Sequence, residues 1–199
     1  MGNLATVADV ENILIRSITD ADEIASVEFA LATSSNAIRD YIEQYIEQVD
    51  DEAITLNGPT NSTTILLPEI PVISVASVTE DDELLVVDDD YKIDGDGVLH
   101  RVGARCWSQG IQNIEIVYSH GYATIPDTIV GVCARAASRL FQAGLRSQEN
   151  EAIPGIASKS LGDFSVSYTT EGAEGALGVS AAYILLMSEK LALDKYRAK

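Results

Sequence analysis

The spacing of apolar residues changes period twice along this chain, from about 3.6 to 2 and back, and that order restricts the fold more than any other feature. Ile24, Val27, Leu31, Ile38, Tyr41, Ile42, Tyr45 and Ile46 recur at three- and four-residue steps. The spacing predicts a long amphipathic helix reaching about Gln48, with an acidic outer face. Beyond the turn cluster Asn57-Gly58-Pro59-Thr60-Asn61, residues 64–67 and 72–78 are rich in strand formers. Glu80-Asp81-Asp82-Glu83 reads as a hairpin tip before residues 84–87. Tyr91-Lys92-Ile93, the turn Asp94-Gly95-Asp96-Gly97 and Val98-Leu99-His100-Arg101 read as a second hairpin. Residues 111–118 make a further strand. Helical period then returns with Ile129, Val130, Cys133, Ala136, Ala137, Leu140 and Phe141, opened by Pro126 and ending near Gly144. Strands grouped between helical segments imply an α+β fold.

Shorter signals fill in the ends. Thr6 with Asp9 is a capping pair for a short helix carrying Val10, Ile13 and Leu14, and Thr19 with Asp22 repeats the signal. Residues 145–162 mix Ser, Gly and charge and read as an exposed loop. Phe164, Val166 and Tyr168 alternate with Ser as a short strand. A Gly-rich break follows, and then a last helix over about 180–197 whose basic end suits the negative pole of the helix dipole. The resulting division is 1–52 for N-terminal helices, 53–119 for an inserted antiparallel β region, 120–144 for the main helix, and 145–199 for a loop, strand and C-terminal helix. The chain's 199 residues suit one compact domain with such an insertion.

Thirteen Lys and Arg stand against 31 Asp and Glu, a formal net charge of −18. That sign repels phosphate backbones and anionic lipid, which excludes wrapping of nucleic acid. Residues 1–52 carry twelve acids with only Arg16 and Arg39; residues 53–99 carry ten with only Lys92; residues 100–199 balance nine acids with ten bases. Such asymmetry predicts an acidic surface and a neutral contact surface. Cys106 and Cys133 are too few for a disulfide framework and lack a second ligand at metal spacing, so both are expected as reduced thiols. The N-terminus has no basic region before an apolar run, and Thr6 is better explained as a cap than as part of a myristoylation signal. No apolar run approaches the roughly 18 residues that span a bilayer. A soluble chain made in a reducing compartment is expected.

Catalytic readings are weak. Ser119-His120-Gly121 with Asp127 supplies hydrolase residue types, but neighbours in a strand point to opposite faces, whereas a nucleophile and its base must meet within roughly 2.6–3.2 Å. The acids of residues 88–96 lack the spacing of a calcium loop, since Tyr91-Lys92-Ile93 interrupts them. The glycines at 95 and 97, and at 172, 175 and 178, lack the strand-to-helix context of phosphate loops. Trp107 is expected to pack at the edge of the β region. No catalytic, cofactor or metal site is expected.

The segment Ile114-Glu115-Ile116-Val117-Tyr118-Ser119-His120-Gly121-Tyr122-Ala123-Thr124-Ile125-Pro126-Asp127 resembles the phrase joining the β part to the main helix in head-to-tail connector (adaptor, head completion) proteins of tailed phages. Ala5-Thr6-Val7-Ala8-Asp9-Val10, Leu66-Leu67-Pro68, Pro71-Val72-Ile73-Ser74-Val75, Tyr91-x-Ile93-Asp94 and Gly97-x-Leu99-x-Arg101 resemble that family in the same order. So do Gly144-Leu145-Arg146-Ser147 and Gly162-Asp163-Phe164-Ser165-Val166-Ser167-Tyr168. The series spans about residues 4–197. The chain departs from the pattern in the acid density of residues 80–90 and the length of the loop at 146–161.

The resemblance implies a helical bundle with an inserted β region, in a virion protein synthesised in the host bacterial cytoplasm. It implies a homo-oligomeric ring of twelve copies between the portal protein and the next connector, a stopper or tail terminator, with no enzymatic activity, cofactor or membrane. Leu185, Leu186, Leu191, Tyr196 and Arg197, with Phe164 and Tyr168, are the expected portal or assembly contacts. Removal of residues 180–199 is expected to leave a soluble fold yet stop tail joining. An acidic lumen would let DNA pass without adhesion, and small-residue helices and strand edges suit packing between copies. Two rivals remain: an acidic DNA mimic that inhibits a nucleic-acid enzyme, and a hydrolase built on His120.

Overall fold

A computed structural model describes residues 2–150, 158–161, 164–167 and 184–197. The chain divides into two compact units, a helical one of Met1–Tyr41 with Asp127–Lys195 and a β one of Ile42–Pro126 with Tyr196–Lys199. The class is α+β, as the changes of period require.

The helical unit opens with α1 (Val7–Leu14). Its Thr6 and Asp9 form the expected capping box: Asp9 N–H donates to Thr6 Oγ1 at 3.3 Å and Thr6 N–H to Asp9 Oδ2 at 2.8 Å. Helix α2 (Ala21–Ile42) is capped by Asp20 rather than by the Thr19 expected from sequence, because the Asp20 carboxylate accepts from the N–H groups of Asp22 and Glu23. Helix α3 (Asp127–Asn150) buries Ile129, Val132, Cys133, Ala136, Ala137 and Phe141 along one face. Its small residues admit close neighbours. Ser35 Oγ of α2 lies 3.4 Å from Cys133 Sγ and also accepts from Leu4 N–H at 2.9 Å. Burial pushes the Cys133 thiol up. Both cysteines are free thiols, with Cys106 exposed. Helix α4 (Met187–Leu193) ends in a 3₁₀ turn, Asp194–Tyr196.

Sequence periodicity misplaced three helix ends. Helix α2 stops at Ile42 instead of running to Gln48, with Glu43 at a left-handed φ of 60°. Groups distant in sequence hold the following backbone: Tyr45 N–H donates to Glu69 Oε2 at 2.8 Å, and Tyr122 N–H to Ile46 O at 2.9 Å. Helix α3 runs through Gly144 to Asn150, because a single interior glycine costs only about 1 kcal/mol against alanine. The segment expected as one helix over 180–197 is broken at Leu185 and Leu186 within its described part. The expected loop at 145–162 also contains β8 (Ser158–Leu161), paired antiparallel with β9 (Phe164–Ser167).

In the β unit, β1 (Val49–Gly58), β7 (Gly110–His120), β3 (Val72–Glu80) and β4 (Glu83–Leu84) form one antiparallel sheet in that order. Strands β2 (Thr64–Leu66), β6 (Val98–Arg101) and β5 (Tyr91–Ile93) form the other. Both predicted hairpins are present. Strand β1 was missed. Its half-buried Glu52, Ile54 and Leu56 alternate with exposed neighbours, but the run Asp50-Asp51-Glu52 conceals the alternation. Ile114, Ile116 and Tyr118 of β7 project into a core shared with Ile65, Leu67, Val78, Tyr91, Leu99 and Trp107. Burying each large side chain there contributes roughly 1.5–3 kcal/mol. The strand ends at Gly121, whose φ is 86° and where a Cβ would stand 2.4 Å from Glu47 O. Only glycine suits that combination.

Candidate assembly surfaces

Glu189 controls how the C-terminal segment is presented. Its side chain is buried, and Arg139 of α3 grips it with both nitrogens, Nη1 to Oε1 at 2.7 Å and Nη2 to Oε2 at 2.6 Å. Leu186 N–H donates to the same carboxylate at 2.9 Å, and Arg139 Nη2 also donates to Ile184 O. Burial by itself would raise the Glu189 pKa, but the hydrogen bonds from Arg139 and Leu186, with the charges of Arg139 and Arg135, hold it below its ordinary 4.5. Clamped in this way, α4 buries Leu193 and displays Met187 (73% exposed) and Leu191 (62%) one turn apart, beside the exposed Leu186.

The sequence-predicted contacts therefore separate. Leu186 and Leu191 face solvent; Leu185 is buried in the helical unit, and Tyr196 in the β unit. Tyr196 meets Tyr122 edge to face at 5.9 Å and its carbonyl accepts from Gln44 Nε2, while Arg197 pairs with Glu43 at 3.2 Å. Phe164 begins β9, opposite Leu161. Tyr168 lies outside the described residues. Because Leu185, Glu189 and Leu193 are buried, deletion of residues 180–199 removes part of the helical core, so the expectation that the truncation spares the fold is corrected.

A second apolar face, which sequence reasoning did not single out, lies in the β unit. Leu84 (66% exposed), Val86 and Val87 are all exposed, whereas Leu85 between them packs on the core. A buried ion pair supports this region from beneath. Arg101 reaches Glu80 Oε2, while Glu80 Oε1 accepts from Ser108 N–H at 2.7 Å. The Arg101 guanidinium stacks 5.1 Å over Trp107. Asp90 accepts at its carbonyl from Val102 N–H and at Oδ2 from Val86 N–H. Trp107 is buried, as expected.

The residues of the hydrolase reading do not converge. His120 is fully buried with Nε2 against Glu52 Oε2 at 2.7 Å, and Ser119 Oγ accepts from Asp51 N–H at 3.0 Å. Nearby, burial raises the Glu69 pKa, with the Tyr45 N–H bond and the His120 charge opposing and the Glu52 charge adding to the rise. A carboxyl with a raised folded pKa contributes stability that is fully present below its unfolded value and lost as pH rises through the folded one. Glu69→Gln keeps an acceptor for Tyr45, so its unfolding stability is expected to fall less than that of the wild type as pH rises from 4.5. Parallel slopes in denaturant titrations across that window would contradict the assignment. The acids of the β unit cluster on separate hairpin tips, Asp81 with Asp82 and Asp94 with Asp96, which is a poor imitation of a phosphate row. Among the described residues no helix is long and apolar enough to cross a membrane, and no group of three or more His, Cys, Asp or Glu is arranged to hold a metal ion.

Comparison with known proteins finds no match among curated sequences. Among solved structures, the chain aligns with one in the neck of a native gene transfer agent particle computed with C12 symmetry, at 14% identity over 97% of this chain and 88% of that one, TM-score 0.43. It also aligns with one in the virion of a native gene transfer agent particle, at 14% identity over 97% and 89%, TM-score 0.46. The ordered phrases that run from the α1 cap through the strands to the Gly121 turn and α3 fall within a longer match: residues 3–135, well over half the chain, fit the head completion proteins, and the chain belongs to that family.

Proposed function

We propose that this protein is a structural connector at the head-to-tail junction of a tailed phage or phage-like particle, forming a ring between the portal and the next connector. The observation that carries the reading is the pair of exposed apolar faces, α4 and the ridge at Leu84, each beside an Arg–Glu ion pair whose glutamate is buried. Rigid apolar surface of this kind is characteristic of sites that meet other proteins. Leu186, Leu191 and the neighbouring Met187 supply contact surface on the helical unit, where Leu185 is buried. Residues 42–126 carry sixteen acids against three bases, a balance suited to a channel wall past which DNA slides without adhering. Particles purified from the producing host test the proposal. Mass spectrometry is expected to find the chain, and cryo-electron microscopy to place a ring of it at the portal vertex. A vertex lacking it would end the proposal.

A further inference from the structure

The two exposed apolar faces carry opposite charges at their rims. Along the ridge, Leu84 and Val86 alternate with the inward Leu85 and so point outward, with Val87 beside them. The carboxylates of Asp81, Asp82, Glu83, Asp88 and Asp89 are all exposed around these aliphatics. Asp81 and Asp82 form a two-residue turn with both φ values positive, and Asp81 N–H donates to Asn113 O at 2.8 Å. That turn is built to stay in place. On α4 the pattern is reversed. Glu189 is turned inward and neutralised by Arg139, and Asp194 accepts from Tyr41 Oη–H. Lys190, its ammonium 5.6 Å over the Tyr41 ring, accompanies the exposed Leu186, Met187 and Leu191, and the half-exposed Arg135, 3.7 Å from Glu189, is a second cation there, so the face stays positive although Asp194 keeps its charge.

Neither face suits a copy of itself, since the ridge would bring two sets of carboxylates together, and like-charge juxtaposition across an interface costs several kcal/mol. Each suits the other. We infer that the ridge of one copy, Leu84, Val86 and Val87 with its carboxylate rim, receives the Leu186, Met187 and Leu191 face of a second copy. The contact is heterologous, and a repeated heterologous contact closes into a ring when its rotation permits. It names the joint of the proposed connector ring and rests on that reading.

Leu84→Asp and Leu191→Asp test the contact by sedimentation velocity. Both side chains are exposed, so circular dichroism of each variant should match the wild type. The wild type is expected to self-associate more weakly as salt rises, and each variant about thirtyfold or more weakly than the wild type. The decisive sample is an equal mixture of the two. Leu191→Asp retains an intact ridge and Leu84→Asp an intact helix face, so together they make one good contact and should form a dimer of one copy of each with no larger species. Association of either variant at wild-type strength overturns the inference, and so does loss that mixing does not restore, the behaviour of a self-complementary contact. If Leu191→Asp self-associates normally but no longer joins the portal, the helix face belongs to the portal and the inference fails. A wild type still monomeric at about 1 mM overturns it as well, while the particle experiment above decides the connector reading separately.

Discussion

Arg139→Met is expected to unfold the helical unit at lower temperature, by up to roughly 15 °C, because it takes the main counter-charge from the buried Glu189 carboxylate. Such a loss costs up to about 3–5 kcal/mol where both partners are buried and less here, since Arg139 is 36% exposed. The substitution leaves the Glu189 carboxylate buried with only the Leu186 N–H at 2.9 Å and the Arg135 guanidinium at 3.7 Å, and deprives the Ile184 carbonyl of its donor. The far-ultraviolet helix signal reports the loss. Glu189→Leu combined with Arg139→Met should recover most of the stability, since apolar replacement of a whole buried pair is often neutral. Recovery would show that the clamp exists to orient α4 rather than to stabilise the unit outright. Acid provides an independent check. The Glu189 pKa lies below 4.5 in the folded chain, so its contribution is complete above 4.5 and fades as pH falls through the lowered value. The double variant should lack that portion of acid sensitivity. A single variant that melts with the wild type would contradict the clamp.

What could be read from the sequence was local. The α1 cap lies within four residues, and the hairpin of β5 and β6 within eleven, with Asp94 Oδ1 accepting from Asp96 and Val98 N–H groups inside its own turn. Residue type and spacing determine such bonds without help from the rest of the fold. Helix α2 shows the opposite case. Apolar spacing continues through Tyr45 and Ile46, and nothing local forbids another turn; the stop depends on Glu69 and Tyr122, many residues away. The alternation of strand β1 is hidden because acids stand at both kinds of position, Asp50 and Asp51 exposed and Glu52 half-buried, where the distant His120 meets it at 2.7 Å.

The candidate surfaces follow the same division. Leu186 and Leu191 follow from the docking role that the family resemblance implies for the basic C-terminal segment, but the same expectation selects Leu185 and Tyr196, which are buried. A role assigned to a segment does not say which of its side chains meet solvent and which meet the chain's own core. Glu189 and Arg139 are fifty residues apart, so no sequence window joins them. The ridge at Leu84 was read only as one arm of a hairpin. Its exposure follows from Leu85 taking the inward position, and that depends on the packing of the whole β core.

Arg101→Met should destabilise the β unit by about 3–5 kcal/mol, and the single tryptophan provides a direct readout. Arg101 is buried between Glu80 and the Trp107 ring, and Glu80 has one oxygen on Arg101 and the other on Ser108 N–H. Methionine fills the volume of the stem but supplies neither charge nor donors, so the Glu80 carboxylate loses its counterion in a site from which water is excluded. Trp107 emission should change in the folded state, because the guanidinium 5.1 Å from the ring is gone, and its unfolding transition should move to lower denaturant. Glu80→Gln is the informative partner. Alone it leaves Arg101 without a counter-charge and should also destabilise; combined with Arg101→Met it should cost less than the sum of the two, since the second change removes the group that the first left unpaired. Strict additivity would mean that Arg101 and Glu80 act independently, and the ridge would then need another source of rigidity. With coupling, Arg101 variants that still fold should present Leu84, Val86 and Val87 less rigidly and lose self-association beyond what their stability accounts for, a consequence that Arg139→Lys, with its single ammonium in place of the fork, should reproduce from the α4 side.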